Sequence, residues 1–130
     1  MTPVAAWSRL ARDRGHWSLR GYGLWVIERR GAGEAVGGCG LYWPTGWPRP
    51  ELTWWILPEQ RRQGLAREAS EAAIRFGHER LGWRQVETHC EDDNEAARGL
   101  IASLGGTLLA RERFPDGKAR DVFGFPPIAG

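Results

Sequence analysis

Six consecutive residues, Arg61-Arg62-Gln63-Gly64-Leu65-Ala66, have the types and the spacing to hold an anion. They follow an apolar run from Leu52 to Leu57 and a Pro58-Glu59 turn, and they open an amphipathic helical pattern. The first N–H groups of a helix lack internal partners, and the helix dipole places partial positive charge there. A phosphate or pyrophosphate is the expected guest. Gly64 has no Cβ to hold that guest off the backbone, and Arg61 and Arg62 add full charges. Other chemistries fail on spacing. Cys39 and Cys90 lie far apart in strand-like runs and form no Cys-x-x-Cys pair, so neither zinc nor a redox motif is indicated. Neither has a base beside it in sequence, and both read as small core residues. Gly38-Cys39-Gly40 runs on into a strand and so fails as a dinucleotide fingerprint. No G-x-x-x-x-G-K-[ST] loop occurs, and His78-Glu79 lacks the second His of a zinc protease.

The elements that must position the anion loop follow from periodicity. Pro3 to Arg14 reads as a helix with Val4, Trp7, Leu10 and Ala11 on one side, ended by Gly15. Leu24 to Arg30 reads as a strand, and Gly31-Ala32-Gly33-Glu34 as a turn into a second strand, Ala35 to Trp43. Pro44 to Pro50 is a loop. Glu51 to Leu57 is apolar on both faces and is expected to be a central strand. Leu65 to Leu81 is the main helix, its buried side marked by Leu65, Ala69, Ala72, Ala73, Phe76 and Leu81. Gly77 inside it suggests a close packing contact, since it costs about 1 kcal/mol relative to Ala. Gln85 to Cys90 is a strand, and Asp92-Asp93-Asn94 caps a second helix, Glu95 to Leu104, ended by Gly105-Gly106. Thr107 to Phe114 and Arg120 to Phe125 form a hairpin around Pro115-Asp116-Gly117-Lys118. The order is α-β-β-β-α-β-α-β-β. The helix between the third and fourth strands predicts a parallel pair with a right-handed crossover. The fold class is mixed α/β, with an otherwise antiparallel sheet and helices on its faces.

Composition narrows the setting. The 130 residues suit one domain, 1–130, with a core that needs neither disulfide nor metal. No signal peptide or membrane-span run is evident, and a reduced, cytoplasmic setting is expected. A net charge of +2 with scattered arginines is no nucleic-acid stripe. Neither a nucleic acid nor a membrane is therefore an expected partner. Eight tryptophans are many for this length, and Trp43, Trp47, Trp54 and Trp55 crowd together. They read either as core plus sheet edge or as an aromatic wall for an apolar or cationic ligand.

From roughly Gly21 to Phe125 the chain resembles the GNAT-family N-acetyltransferases, in particular their RimJ/RimL-like branch. The run Glu51-Leu52-Thr53-Trp54-Trp55-Ile56-Leu57-Pro58-Glu59 is similar to that branch's central strand and turn. Arg61 to Ala66 fits the family's Q/R-x-x-G-x-G/A acyl-CoA signature, and Glu68-Ala69 continues the helix as that branch does. Asp93-Asn94 followed by Leu104-Gly105 resembles the second signature region. The six residues alone are a weak signal. Set between strand and helix, with Asp-Asn-helix-Leu-Gly at the right distance, they are a strong one. Two departures stand out. The family's usual first strand and helix have no counterpart ahead of Pro3, which leaves Leu24–Arg30 as an expected open edge and a homodimer as a candidate assembly. Ala97 stands where many relatives carry a Ser three residues after the Asn.

The resemblance implies a GNAT-like sheet whose parallel pair splays apart, and acetyl transfer from acetyl-CoA to a primary amine, a small molecule or a protein N-terminus. No metal is implied. The pyrophosphate would sit on backbone N–H groups between Arg62 and Ala66. Pantetheine would pair like an added strand with Trp55, Ile56 and Leu57, and Asn94 would hydrogen-bond it, cap its helix, or do both. A backbone N–H near Ile56 or Leu57 would stabilise the developing oxyanion. The amine must be neutral to attack, so a base is needed. Glu51, at the start of the central strand, is the first choice and His89 the second. Tyr42 or water would protonate the thiolate. Non-catalytic acyl-CoA binding, or an acceptor site completed by another chain, are the alternatives.

Overall fold

A computed structural model describes residues 2–31 and 33–128, so Ala32 of the expected first turn lies outside the described residues. The elements follow the expected order: α1 (Pro3–Arg20), β1 (Leu24–Glu28), β2 (Ala35–Tyr42), β3 (Glu51–Ile56), a 3-10 turn (Pro58–Gln60), α2 (Leu65–Glu79), β4 (Val86–Cys90), α3 (Glu95–Ser103), β5 (Thr107–Arg113) and β6 (Ala119–Phe125). They build two three-stranded antiparallel sheets, β1-β2-β3 and β4-β6-β5. β3 and β4, expected from the resemblance to splay apart, share no ladder. The two strands meet where Thr88 Oγ1 donates to the Leu52 carbonyl at 2.7 Å, and a cleft opens between them. β3 is therefore the rim of that cleft and not a fully covered central strand: Leu52 and Ile56 are buried, while Trp55 is 47% exposed.

The core joins Leu41 and Leu52 of the first sheet, Ala73 and Ile74 of α2, Ile101 of α3, and Val86 and Phe125 of the second sheet. Gly77 is the close contact its position suggested, since a Cβ there would lie 2.7 Å from Val86 Cγ2. On α2, Ser70 and Ile74 are buried instead of Ala72, which is exposed.

Helix α1 departs most from expectation. It runs through Gly15 and stops at Gly21, whose φ of 78° supplies the left-handed cap. The reason lies beyond Gly15. Trp43 N–H donates to His16 Nε2 at 2.8 Å, so the proton is on Nδ1, which donates to the Tyr22 carbonyl at 2.8 Å. Trp17 Nε1 donates to the Leu24 carbonyl at 2.8 Å. These bonds need helix through the second half of α1. The side carrying Val4, Trp7 and Leu10 does not face the core, and all three are about 70% exposed or more.

Candidate active site

The cleft between β3, β4 and the start of α2 encloses about 870 Å³. One end is the anion loop. Gly64 takes φ 76°, and Arg62 is the one non-glycine residue with positive φ among the described residues, at 64°. Alternating left- and right-handed backbone of this kind gathers N–H groups into an anion-binding concavity. The first N–H satisfied within α2 is that of Glu68, bonded to the Gly64 carbonyl, which leaves the Leu65, Ala66 and Arg67 N–H groups at the helix mouth. Arg61, Arg62, Gly64, Leu65, Ala66 and Arg67 all line the cleft. Arg61 is partly committed, because its Nε donates to the Ile56 carbonyl at 3.2 Å. Gln63 does not line the cleft; Arg29 holds its side chain.

The wall is β3, and its register corrects the expected backbone donors. Leu57 N–H is bonded to the Val36 carbonyl at 2.9 Å, and Leu57 does not line the cleft. In an antiparallel ladder every second residue turns both its polar groups to the partner. With Gly38 opposite Trp55 and Gly37 opposite Ile56, the Trp55 main chain also faces β2. The peptide groups of Trp54 and Ile56 point the other way, into the cleft, in agreement with the Ile56 carbonyl receiving Arg61. Trp55 also lines the cleft. The direction of the Trp54 peptide group depends on the β2 register, which no local motif encodes.

Opposite β3, Asn94 caps α3 by accepting from Ala97 N–H at 3.1 Å. Its Oδ1 is thereby engaged, and the residue lines the cleft. Ala97 is buried.

At the far end the structure brings Glu51 and His89 together. Glu51 Oε2 and His89 Nε2 lie in direct contact, without the alignment of a hydrogen bond, and Nε2 is cut off from solvent. Aromatic rings fix the imidazole: Trp47 stacks on it at 5.7 Å and 13°, and Phe114 lies 4.1 Å away. Buried Arg120 lies over the Phe114 ring at 5.3 Å and is bound to Asp116 at 2.5 Å. The tryptophan cluster therefore divides. Trp54 and Trp55 line the cleft, Trp47 buttresses His89, and Trp43 lies under Arg20 at 4.2 Å, away from it. Tyr42 also stands apart, stacked on His16 at 4.6 Å. The thiols are poor nucleophiles. Burial pushes Cys39 up to about 11 and raises Cys90 as well. Among the described residues no group of three His, Cys, Asp or Glu is arranged to hold a metal ion.

Residues 1–107 match the family model of the GNAT acetyltransferase domain. The chain belongs to the GNAT family. This GNAT chain is 32% identical over 82 residues to the uncharacterized N-acetyltransferase YoaA of Bacillus subtilis, covering 62% of itself and 46% of that relative. It thus spans about half the length of the curated relative it matches. An acetyltransferase from Agrobacterium tumefaciens superposes with a TM-score of 0.84 at 22% identity, over 96% of this chain and 72% of that one. YncA of Salmonella typhimurium, solved with its cofactor acetyl-CoA, gives 0.67 at 23% identity, over 91% and 70%. The ribosomal-protein-S5-alanine acetyltransferase of Vibrio fischeri gives 0.75 at 14%, over 96% and 72%. At these identities the structural likenesses establish a GNAT fold.

Proposed function

We propose that this GNAT domain, residues 1–130, transfers an acetyl group from acetyl-CoA to a primary amine, a small molecule or a protein N-terminus, in a cytoplasmic setting. The observation that carries the reading is one cleft with a left-handed, arginine-rich loop at one end and a half-buried Glu51–His89 contact at the other. The loop N–H groups take the pyrophosphate, and Arg62 and Arg67 supply charge. Pantetheine lies along the Trp54 and Ile56 peptide groups, with the Asn94 amide donating to it. Glu51 accepts the proton of the incoming ammonium. The neutral amine attacks the thioester carbonyl carbon, the N–C bond forms and the C–S bond breaks. The Ile56 N–H is the candidate oxyanion donor. With Ala97 in place of a Ser and Tyr42 turned away, water relays the second proton of the amine nitrogen to the departing thiolate.

The direct test is thermal unfolding with and without saturating acetyl-CoA, followed by thiol release across an amine panel. Ligand at about 100 times its Kd adds about 2.7 kcal/mol to stability, a rise of several degrees for a domain of this size. No shift from a folded protein overturns the cofactor assignment. A shift without multiple turnovers on any amine favours non-catalytic acyl-CoA binding.

A second reading, assembly with another chain such as a homodimer, is favoured by the exposed Val4-Trp7-Leu10 face and the 66% exposed Val26 on β1. Sedimentation of the same sample as a compact monomer removes it.

A further inference from the structure

Arg29 stands outside the cleft, just beyond β1, and nothing in the loop sequence points to it. Its main chain is fixed by its N–H bond to the Glu34 carbonyl at 3.1 Å across the β1–β2 turn. Its guanidinium reaches over to the anion loop. One nitrogen, Nη2, donates to Gln60 Oε1 and also to Gln63 Oε1, the latter at 2.5 Å. Gln60 closes the 3-10 turn and Gln63 precedes the helix cap, so the two glutamines bracket Arg61 and Arg62. Arg62 is the strained residue of that segment, at φ 64°. A non-glycine residue persists in that region only where its surroundings over-determine the backbone. The Gln60 and Gln63 side chains, tied to one guanidinium, are the contacts that pin both flanks.

We propose that Arg29 is the positioning residue of the anion loop: a latch from the first hairpin that holds the loop in its anion-receiving conformation before ligand arrives. The inference rests on the acetyl-CoA reading of the cleft and adds the residue that pre-organises it. A loop ordered in advance does not have to be ordered at binding, and affinity gains by that amount. The latch therefore acts on ligands carrying a pyrophosphate and not on the acyl arm.

Calorimetric titration of acetyl-CoA and of acetyl-pantetheine, which lacks the nucleotide and pyrophosphate, separates the possibilities. Arg29→Ala should weaken acetyl-CoA binding roughly tenfold, an amount within the range such backbone strain stores. It should leave acetyl-pantetheine binding unchanged. The double variant Gln60→Ala/Gln63→Ala keeps the Arg29 charge and should show the same selective loss, and adding Arg29→Ala to it should cost nothing more. Wild-type affinity in either variant overturns the latch. So does an equal loss for both ligands, which marks a general destabilisation. A loss in Arg29→Ala alone assigns the effect to charge at a distance and overturns it too. If the wild-type chain does not bind acetyl-CoA, the reading of the cleft falls, and the latch falls with it.

Discussion

At the residue scale the site turns on Glu51 and His89, which approach from different strands. Each could be singled out in the sequence as a carboxylate or imidazole on a strand near the anion loop. Their contact could not, because it depends on how β3 and β4 lie side by side without a ladder. The proposed base is tested by Glu51→Gln, which keeps the shape and removes the proton acceptor. The rate constant kcat should fall about a hundredfold or more, the usual worth of a general base, with acetyl-CoA affinity unchanged. Wild-type turnover by the Gln variant would remove Glu51 from the chemistry. The turn into α2 was legible down to the glycine, because the left-handed conformation of Gly64 belongs to its own backbone. The role of Gln63 was not, since Arg29 turns it away from the cleft from a distant hairpin.

At the element scale two helix glycines of similar appearance in the sequence have opposite meanings. Gly15 lies inside α1 with open space on its Cβ side, nothing standing within 4 Å, whereas a Cβ on Gly77 would strike Val86. Gly15→Ala should therefore stabilise the protein by about 0.5–1 kcal/mol, the helix penalty of glycine. Gly77→Ala should destabilise it by about 1–3 kcal/mol through overpacking. Denaturant unfolding reads both, and a shared sign would contradict this account of the two positions. The contrast explains where sequence reading stopped. Glycine as a helix terminator is a local rule, and it held at Gly105 but failed at Gly15, six residues before the cap at Gly21. There the tertiary bonds of His16 and Trp17 carry the helix onward. Apolar spacing in α1 gave the right element and the wrong face, because periodicity marks a stripe without saying what covers it.

At the scale of the whole molecule the second sheet is bound to the start of α3 by an ionic cluster. Arg111 donates to both Asp92 oxygens at 2.9 Å, and Asp121 receives Arg98 at 3.0 Å and Arg111 at 3.1 Å. Hydrogen bonds from these guanidiniums hold the Asp92 and Asp121 carboxyls below their usual range, and Lys118 and Arg120 do the same for Glu91 and Asp116. A carboxyl depressed in the folded state contributes stability above its unfolded value and loses it as pH falls through the folded one. The melting temperature should thus hold above about pH 4 and drop below it. Asp121→Asn should flatten part of that acid limb, and salt should weaken the effect. An acid limb unchanged in Asp121→Asn would show that the cluster carries none of it.

The mixed α/β class and the order of elements were readable because each strand and helix carries its own period. The break into two sheets followed from the resemblance and not from periodicity, because a ladder that fails to form leaves no mark on either strand. That break has a further consequence. With Leu57 and Trp55 turned toward β2, the cleft wall offers peptide groups at alternate residues, and with the Leu52 carbonyl receiving Thr88 the pair nearest the loop is Trp54 and Ile56. Two residues of strand span about 6.6 Å, so the wall is a ruler with one graduation. In the function proposed above, an acyl carrier whose amides match that interval would be held at a single depth, with its thioester at a set height above Glu51. A carrier with another spacing can slide, and its carbonyl has no fixed address.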